Sequence, residues 1–338
     1  MRGERVNYIG SKYSLIDFLV QAIKNFTKFK SFEDKEFCDI FSGTSVVGME
    51  FKKRGCKVIA NDIQYYSYVL AKHYIENNCK IQDKYSKEFN ELKGKEGFIF
   101  QNYCMGSGSK RNYFLDINGK KCDEIRERIE NLKVRNLIKE KEYYFYLASL
   151  INSIDKYANT ASVYGAFLKH IKKSAQKELI FQCLPIIIGK NKGKAYNEDA
   201  NLLIKKIKGD ILYLDPPYNS RQYSANYHIL ETVAKNDNPE IKGKTGLRVD
   251  NVKSKWCSKR TVKEVFEDLI KNSKFKYIFL SYNNEGLMSF GEIEKILGKY
   301  GKYKLYSQKY RRFRADKAHL RNHKADKTIE YLHCLEKK

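Results

Sequence analysis

The apolar run Ile211-Leu212-Tyr213-Leu214 ends in Asp215-Pro216-Pro217-Tyr218. Neither proline can donate to a sheet ladder, so the run predicts a buried strand that stops at Asp215. A carboxylate, the Pro216 carbonyl and the Tyr218 ring then stand together at a strand's carboxyl end, where open α/β sheets bind ligands. Carboxylate and carbonyl together accept both protons of an amino group, while an aromatic ring stacks on the ring that bears it. Asp215, Pro216, Pro217 and Tyr218 are therefore the candidate catalytic residues, suited to an exocyclic amine on a flat heterocycle.

A second cluster lies upstream. Glu36–Phe41 reads as a strand running into Ser42-Gly43-Thr44-Ser45 and a helix through Arg54; Lys57–Ala60 reads as a strand ending at Asn61-Asp62. Gly43 permits a tight turn and close approach of a ligand to the backbone. Asp62, about nineteen residues on, suits two ribose hydroxyls. Asp39 favours a ligand with a cationic group. One clear glycine is fewer than the G-x-G-x-x-G of nicotinamide sites, whereas S-adenosylmethionine supplies ribose, adenine and a cationic amino-acid end. Taken alone, the motif leaves an ordinary β–α turn open as the alternative.

The elements that must carry these residues follow from periodicity. Residues 13–26 have helical spacing, and Ile63–Tyr74 predicts the helix after the second strand. Regular α/β alternation stops over about 80–195, where helical patterns near Asp123–Ile138 and Glu142–Ile154 predict an inserted subdomain. Alternation resumes with the Ile211–Leu214 strand, a helix near Ala225–Ala234, a strand at Tyr277–Ser281 and a helix near Glu292–Leu297. Tyr303–Phe313 and Thr328–Leu335 predict a terminal hairpin. The expected fold is α/β: a Rossmann-like, doubly wound, mixed seven-stranded sheet with a mainly helical insertion. The expected domains are 1–80 with 188–338, and an insertion of 81–187.

The 338 residues carry 65 basic and 40 acidic side chains, a formal charge of +25. That excess points to a polyanionic partner, nucleic acid before membrane. Twenty-six tyrosines and 19 phenylalanines among the lysines and arginines favour nucleic acid further, since bases stack on aromatic faces. The eight cysteines form no C-x-x-C pair and histidine is sparse, so neither a metal site nor a disulfide framework is signalled. With no apolar signal core at the amino terminus, a cytoplasmic protein is expected.

The chain resembles the DNA N6-adenine methyltransferases of the Dam/DpnM type. Asn7-Tyr8-Ile9-Gly10-Ser11-Lys12 is similar to that family's N-terminal motif, Asp39–Thr44 to its glycine loop, Asn197-Glu198-Asp199-Ala200 to its third motif and Asp215–Tyr218 to its catalytic motif. The resemblance implies S-adenosylmethionine as methyl donor, held by Tyr8, Lys12, Asp39, Phe41, Gly43, Thr44, Asp62, Ile63, Asp199 and Ala200. Where the family usually has a second glycine, this chain has Ser45.

The resemblance also implies duplex DNA as partner, a restriction endonuclease acting separately and target recognition by the insertion. Lys110, Arg111, Tyr164, Lys169, Lys255, Arg260 and Arg314 are the candidate DNA contacts, with Lys253, Lys259, Arg311 and Arg312 as further phosphate-binding candidates. Methylation of cytosine C5 needs a Pro-Cys thiolate, and none of the four prolines precedes cysteine. N4-cytosine methylation, an amine methyltransferase acting on ribosomal RNA and a silent DNA-binding relative are the remaining alternatives. Asp215, where cytosine enzymes more often carry serine, favours adenine.

Overall fold

Strand β4 (Lys208–Leu214) shows how the sheet is built. Its Ile211, Leu212, Tyr213 and Leu214 are all buried, as expected for a parallel strand covered on both faces. It pairs in parallel with β1 (Glu36–Asp39) on one side and with β5 (Lys274–Asn283) on the other. Further strands are β2 (Lys57–Asn61), β3 (Lys194–Tyr196), β6 (Gly301–Arg311) and β7 (Lys327–Lys337). The sheet order is β3-β2-β1-β4-β5-β7-β6, with β7 antiparallel to both neighbours. The expected doubly wound mixed sheet of seven strands is present. The computed structural model describes residues 6, 8–251, 253–311 and 327–338.

Alternation along the strands assigns the two faces. Cys38, Ile40, Leu212, Leu214, Ile278 and Leu280 pack with Phe266, Leu269 and Ile270 of the Val262–Asn272 helix and with Ile293, Ile296 and Leu297 of the Phe290–Gly298 helix. On the opposite face Phe37 stacks on Phe51 at 3.9 Å, and Phe26 meets Phe279 edge-on at 5.7 Å. Those partners come from the Val46–Lys53 and Ile16–Thr27 helices. Each such side chain contributes about 1.5–3 kcal/mol on full burial. Asp39 and Tyr213, partners in the β1–β4 register, share the parity of Phe37.

Contacts divide the chain into two compact units. One holds the sheet: Gly10–Asn78, Ile187–Gln222 and Lys253–Lys338. The other holds Met1–Ile9, Cys79–Ile186 and Tyr223–Val252. The second unit is built on the Asp116–Val134 and Glu140–Tyr157 helices. Its extent differs from the 81–187 expected, because Tyr223–Val252 joins it. Buried side chains explain why. Arg126 donates to the Val233 and Ala234 carbonyls at 2.8 and 3.3 Å, Tyr103 to that of Gly246 at 2.9 Å, and Tyr113 to that of Thr245 at 3.2 Å. Among the described residues, no helix is long and apolar enough to cross a membrane.

Candidate active site

The prolines end β4 and leave Asp215 at its carboxyl end, one-fifth exposed. The Lys12 ammonium, 6% exposed, donates to Asp215 Oδ1 at 2.7 Å and to the Gly10 carbonyl at 3.2 Å. It also lies 3.6 Å from Glu330 Oε1, a carboxylate 2% exposed on β7. Ser281 Oγ of β5 donates to the same Glu330 oxygen at 2.5 Å. Among the described residues nothing donates to Asp215 Oδ2.

Burial raises the Asp215 carboxyl to about 6; Lys12 opposes the rise and Glu330 adds to it. Burial works against the Lys12 charge, but Asp215 and Glu330 outweigh it and hold the ammonium well above its ordinary range. At neutral pH the Lys12 cation therefore meets an ionised Asp215, with Glu330 on its other side. The neighbouring Tyr218 accepts at its carbonyl from Leu287 N–H at 3.0 Å, and burial pushes its phenol up.

The loop after β1 is tightly wound. Gly43 and Ser45 both adopt left-handed backbone, with φ of 48° and 61°. Ser45 thus occupies a conformation that favours glycine, at a cost of roughly 1 kcal/mol. Gly43 N–H donates to Asp62 Oδ2 at 2.9 Å, and Gln64 N–H to Asp62 Oδ1 at 2.9 Å. Asn61 ties the loops together, donating to the Ile40 and Glu198 carbonyls at 3.1 Å.

Asp39 is almost wholly buried. Its Oδ2 accepts from Gly48 N–H at 3.3 Å, and its Oδ1 has no partner. Burial first, then the charge of Asp215, raises it to about 8. Ser42 Oγ and Ser45 Oγ are also buried without partners. Ile63, beside Asp62, is exposed, and Phe41 packs edge-on to Trp256 at 4.9 Å. An orphaned buried carboxylate oxygen, two orphaned hydroxyls and a glycine turn fit a ligand with a cationic, hydrogen-bonding end. They fit the expected donor.

Several expected residues have partners of their own. Tyr164 is wholly buried and its hydroxyl donates to Asp155 at 2.8 Å, so it is core and not a DNA contact. Arg111 is engaged by the carbonyls of Asn102, Gly243 and Lys244 at 3.0–3.2 Å, which makes it a brace. Tyr8 falls in the helical unit, where its ring stacks on Tyr227 at 4.7 Å. Asp199 caps the Ala200–Leu203 helix by accepting from Asn201 and Leu202 N–H. Trp256, which lies among the candidate phosphate-binding lysines, is buried and donates to Asn201 at 3.2 Å.

Lys110, Lys169, Lys253, Lys255, Lys259 and Arg260 are exposed. Asn7, Arg312 and Arg314 lie outside the described residues, as does the Arg311 side chain. The reading from sequence missed Glu330, although Glu330-Tyr331-Leu332-His333-Cys334 sets an acid in phase with Leu332 and Cys334. A charge on the buried parity of a strand is the signal that marks it.

The class of the protein is that of the DNA methyltransferases. A family model described as D12 class N6 adenine-specific DNA methyltransferase matches residues 8–296, and the chain belongs to that family. It is 54% identical to a type II methyltransferase, M.NlaIII, of Neisseria lactamica, covering 98% of this chain and 99% of that one. It is 36% identical to the type II methyltransferase M.CviAII of Paramecium bursaria Chlorella virus 1, covering 92% and 93%. It is also 40% identical to M.FokI of Planomicrobium okeanokoites, covering 98% of this chain but 53% of the relative.

Proposed function

We propose that this chain is the cytoplasmic modification enzyme of a type II restriction–modification system. It transfers a methyl group from S-adenosylmethionine to N6 of an adenine flipped out of duplex DNA. The observation that carries this reading is Asp215: one-fifth exposed at the end of β4, held at Oδ1 by Lys12, with no donor on Oδ2 among the described residues.

The adenine N6 lone pair is delocalised into its ring and is a poor nucleophile. Asp215 Oδ2 accepts one N6 proton and the Pro216 carbonyl the other, which draws the nitrogen towards tetrahedral geometry and localises the pair. Pro217 fixes the turn, and Tyr218 stacks on the base. Stacking returns roughly 1–3 kcal/mol against the few kcal/mol that extrusion costs. As N6 is methylated it sheds a proton, and Asp215 is the base within reach. Holding both reactants in line supplies most of the acceleration.

Asp39, Phe41, Gly43, Thr44, Asp62 and Ile63 would hold the donor, with Asp199 and Ala200 at its adenine end and Lys12 at its border. When bound, it supplies an electrophilic methyl on a sulfonium. The unit formed by Cys79–Ile186 and Tyr223–Val252 is the target-recognition unit in this reading. Its support is a cleft of about 850 Å³ lined by Asn112, Asp116, Lys169, His170 and Gln176. Those groups match the donors and acceptors of base edges. Lys110, Lys169, Lys255 and Arg260 supply phosphate contacts, with a separate endonuclease as the functional counterpart.

Labelled-donor methylation of duplex DNA, followed by nucleoside analysis and modification-aware sequencing, tests the proposal. N6-methyladenine at one short sequence is expected. Methylcytosine, or label in RNA alone, overturns it.

A further inference from the structure

The Lys12 ammonium is held from two sides by carboxylates on different strands. Asp215 Oδ1 lies at 2.7 Å and Glu330 Oε1 at 3.6 Å, and Ser281 Oγ fixes the latter oxygen at 2.5 Å. A carboxylate 2% exposed on the buried parity of a strand is costly to bury unless it has a charged partner. Lys12 is that partner. We propose that Glu330 is a positioning residue for methyl transfer: it draws the Lys12 ammonium towards β7, so that this cation touches one Asp215 oxygen and leaves the other for the amino group of the base. The inference rests on the reading of Asp215 given above.

Without the Glu330 charge, Asp215 is the one carboxylate among the described residues left in ion-pair contact with Lys12. The ammonium then centres on both oxygens of that carboxylate and competes with N6. The groups facing Asp215 are Lys12 from the turn before the first helix, Asp39 from β1, Tyr213 from β4, Tyr218 beyond it and Glu330 from β7. Glu285 bears on Tyr218. Among these only Lys12 is positive, and Glu330 opposes it at Asp215. Removing the Glu330 charge therefore lowers the pH at which Asp215 titrates.

Glu330→Gln keeps the side-chain shape and removes the charge. In the full-length protein, kcat on a duplex oligonucleotide is expected to fall roughly tenfold or more, with KM for DNA unchanged. In parallel, the carboxyl resonance of Asp215 in ¹³C-aspartate-labelled protein, assigned by its loss in Asp215→Asn, should titrate at lower pH than in the parent. A titration midpoint that stays put overturns the proposal, as does an unchanged kcat.

Should Glu330→Gln fail to fold, Ser281→Ala releases Glu330 while keeping its charge. A smaller fall in kcat at unchanged KM is then expected, and parental kcat refutes the assignment. A parent that yields no N6-methyladenine defeats the reading of the reaction instead, and the Asp215 titration still decides whether Glu330 acts on it.

Discussion

Two aspartates end adjacent strands of one sheet. Asp39 closes β1 and Asp215 follows β4, and both are lifted chiefly by burial. Yet Asp39 stands at about 8 and Asp215 at about 6. The difference is an ammonium in hydrogen-bond contact. Lys12 donates to Asp215, whereas Asp39 has a single backbone N–H on one oxygen and nothing on the other. At neutral pH Asp215 is ionised, while Asp39 keeps its proton. Two chemically identical residues are thus set to different charge states by one neighbour.

Removing the acceptor breaks the comparison most severely. Asp215→Ala should cut kcat by about 10²–10⁴-fold while calorimetry finds donor binding nearly unchanged; retained turnover would refute its role. Lys12→Met should make Asp215 resemble Asp39. Its carboxyl then rises well above about 6, and the rate at pH 7 falls by roughly tenfold to hundredfold. Raising the pH should recover part of that loss. For the parent, the sign is that Asp215 protonates below about 6, so kcat declines on the acid side.

Asp39→Asn addresses the other half. In the parent, donor affinity should rise with pH through about 8 as Asp39 ionises. The variant should lose roughly 1.5–3 kcal/mol of donor affinity near pH 9 and little below pH 7. Its folding should report the same group. A folded value raised to about 8 means that the Asp39 contribution is full below its unfolded value and is lost as pH rises through about 8. Denaturant titrations of Asp39→Asn should lack that contribution. Ser45→Gly is expected to have the smallest effect, a stabilisation of about 1 kcal/mol seen as a small rise in Tm; a fall in Tm would mean the Ser45 hydroxyl is needed.

Strand ends and the glycine turn were legible in the chain because proline, glycine and acid residues act locally. The β1 loop, Asp62 and the Asp215 quartet fall where periodicity put them. Helix limits were less legible: the predicted Asp123–Ile138 helix runs from Asp116 to Val134, and left-handed Asn136, at φ 56°, follows its end. Tyr164 was misjudged for a related reason. Aromatic residues near basic ones suggest base stacking, but a hydroxyl satisfied by Asp155 makes tyrosine a core residue. Glu330 was illegible as a functional group because its partner lies more than three hundred residues away and meets it only through sheet pairing.

That separation has a consequence for synthesis. Lys12 leaves the ribosome early, and Glu330 follows on the order of tens of seconds later at ordinary elongation rates. Until β7 pairs with β5, the lysine that sets Asp215 apart from Asp39 lacks one of its two anchors. A nascent chain can wind its donor loop and close β1 on β4, yet it is chemically immature. The surroundings of Asp215 are therefore complete only once β7 has been made and paired with β5.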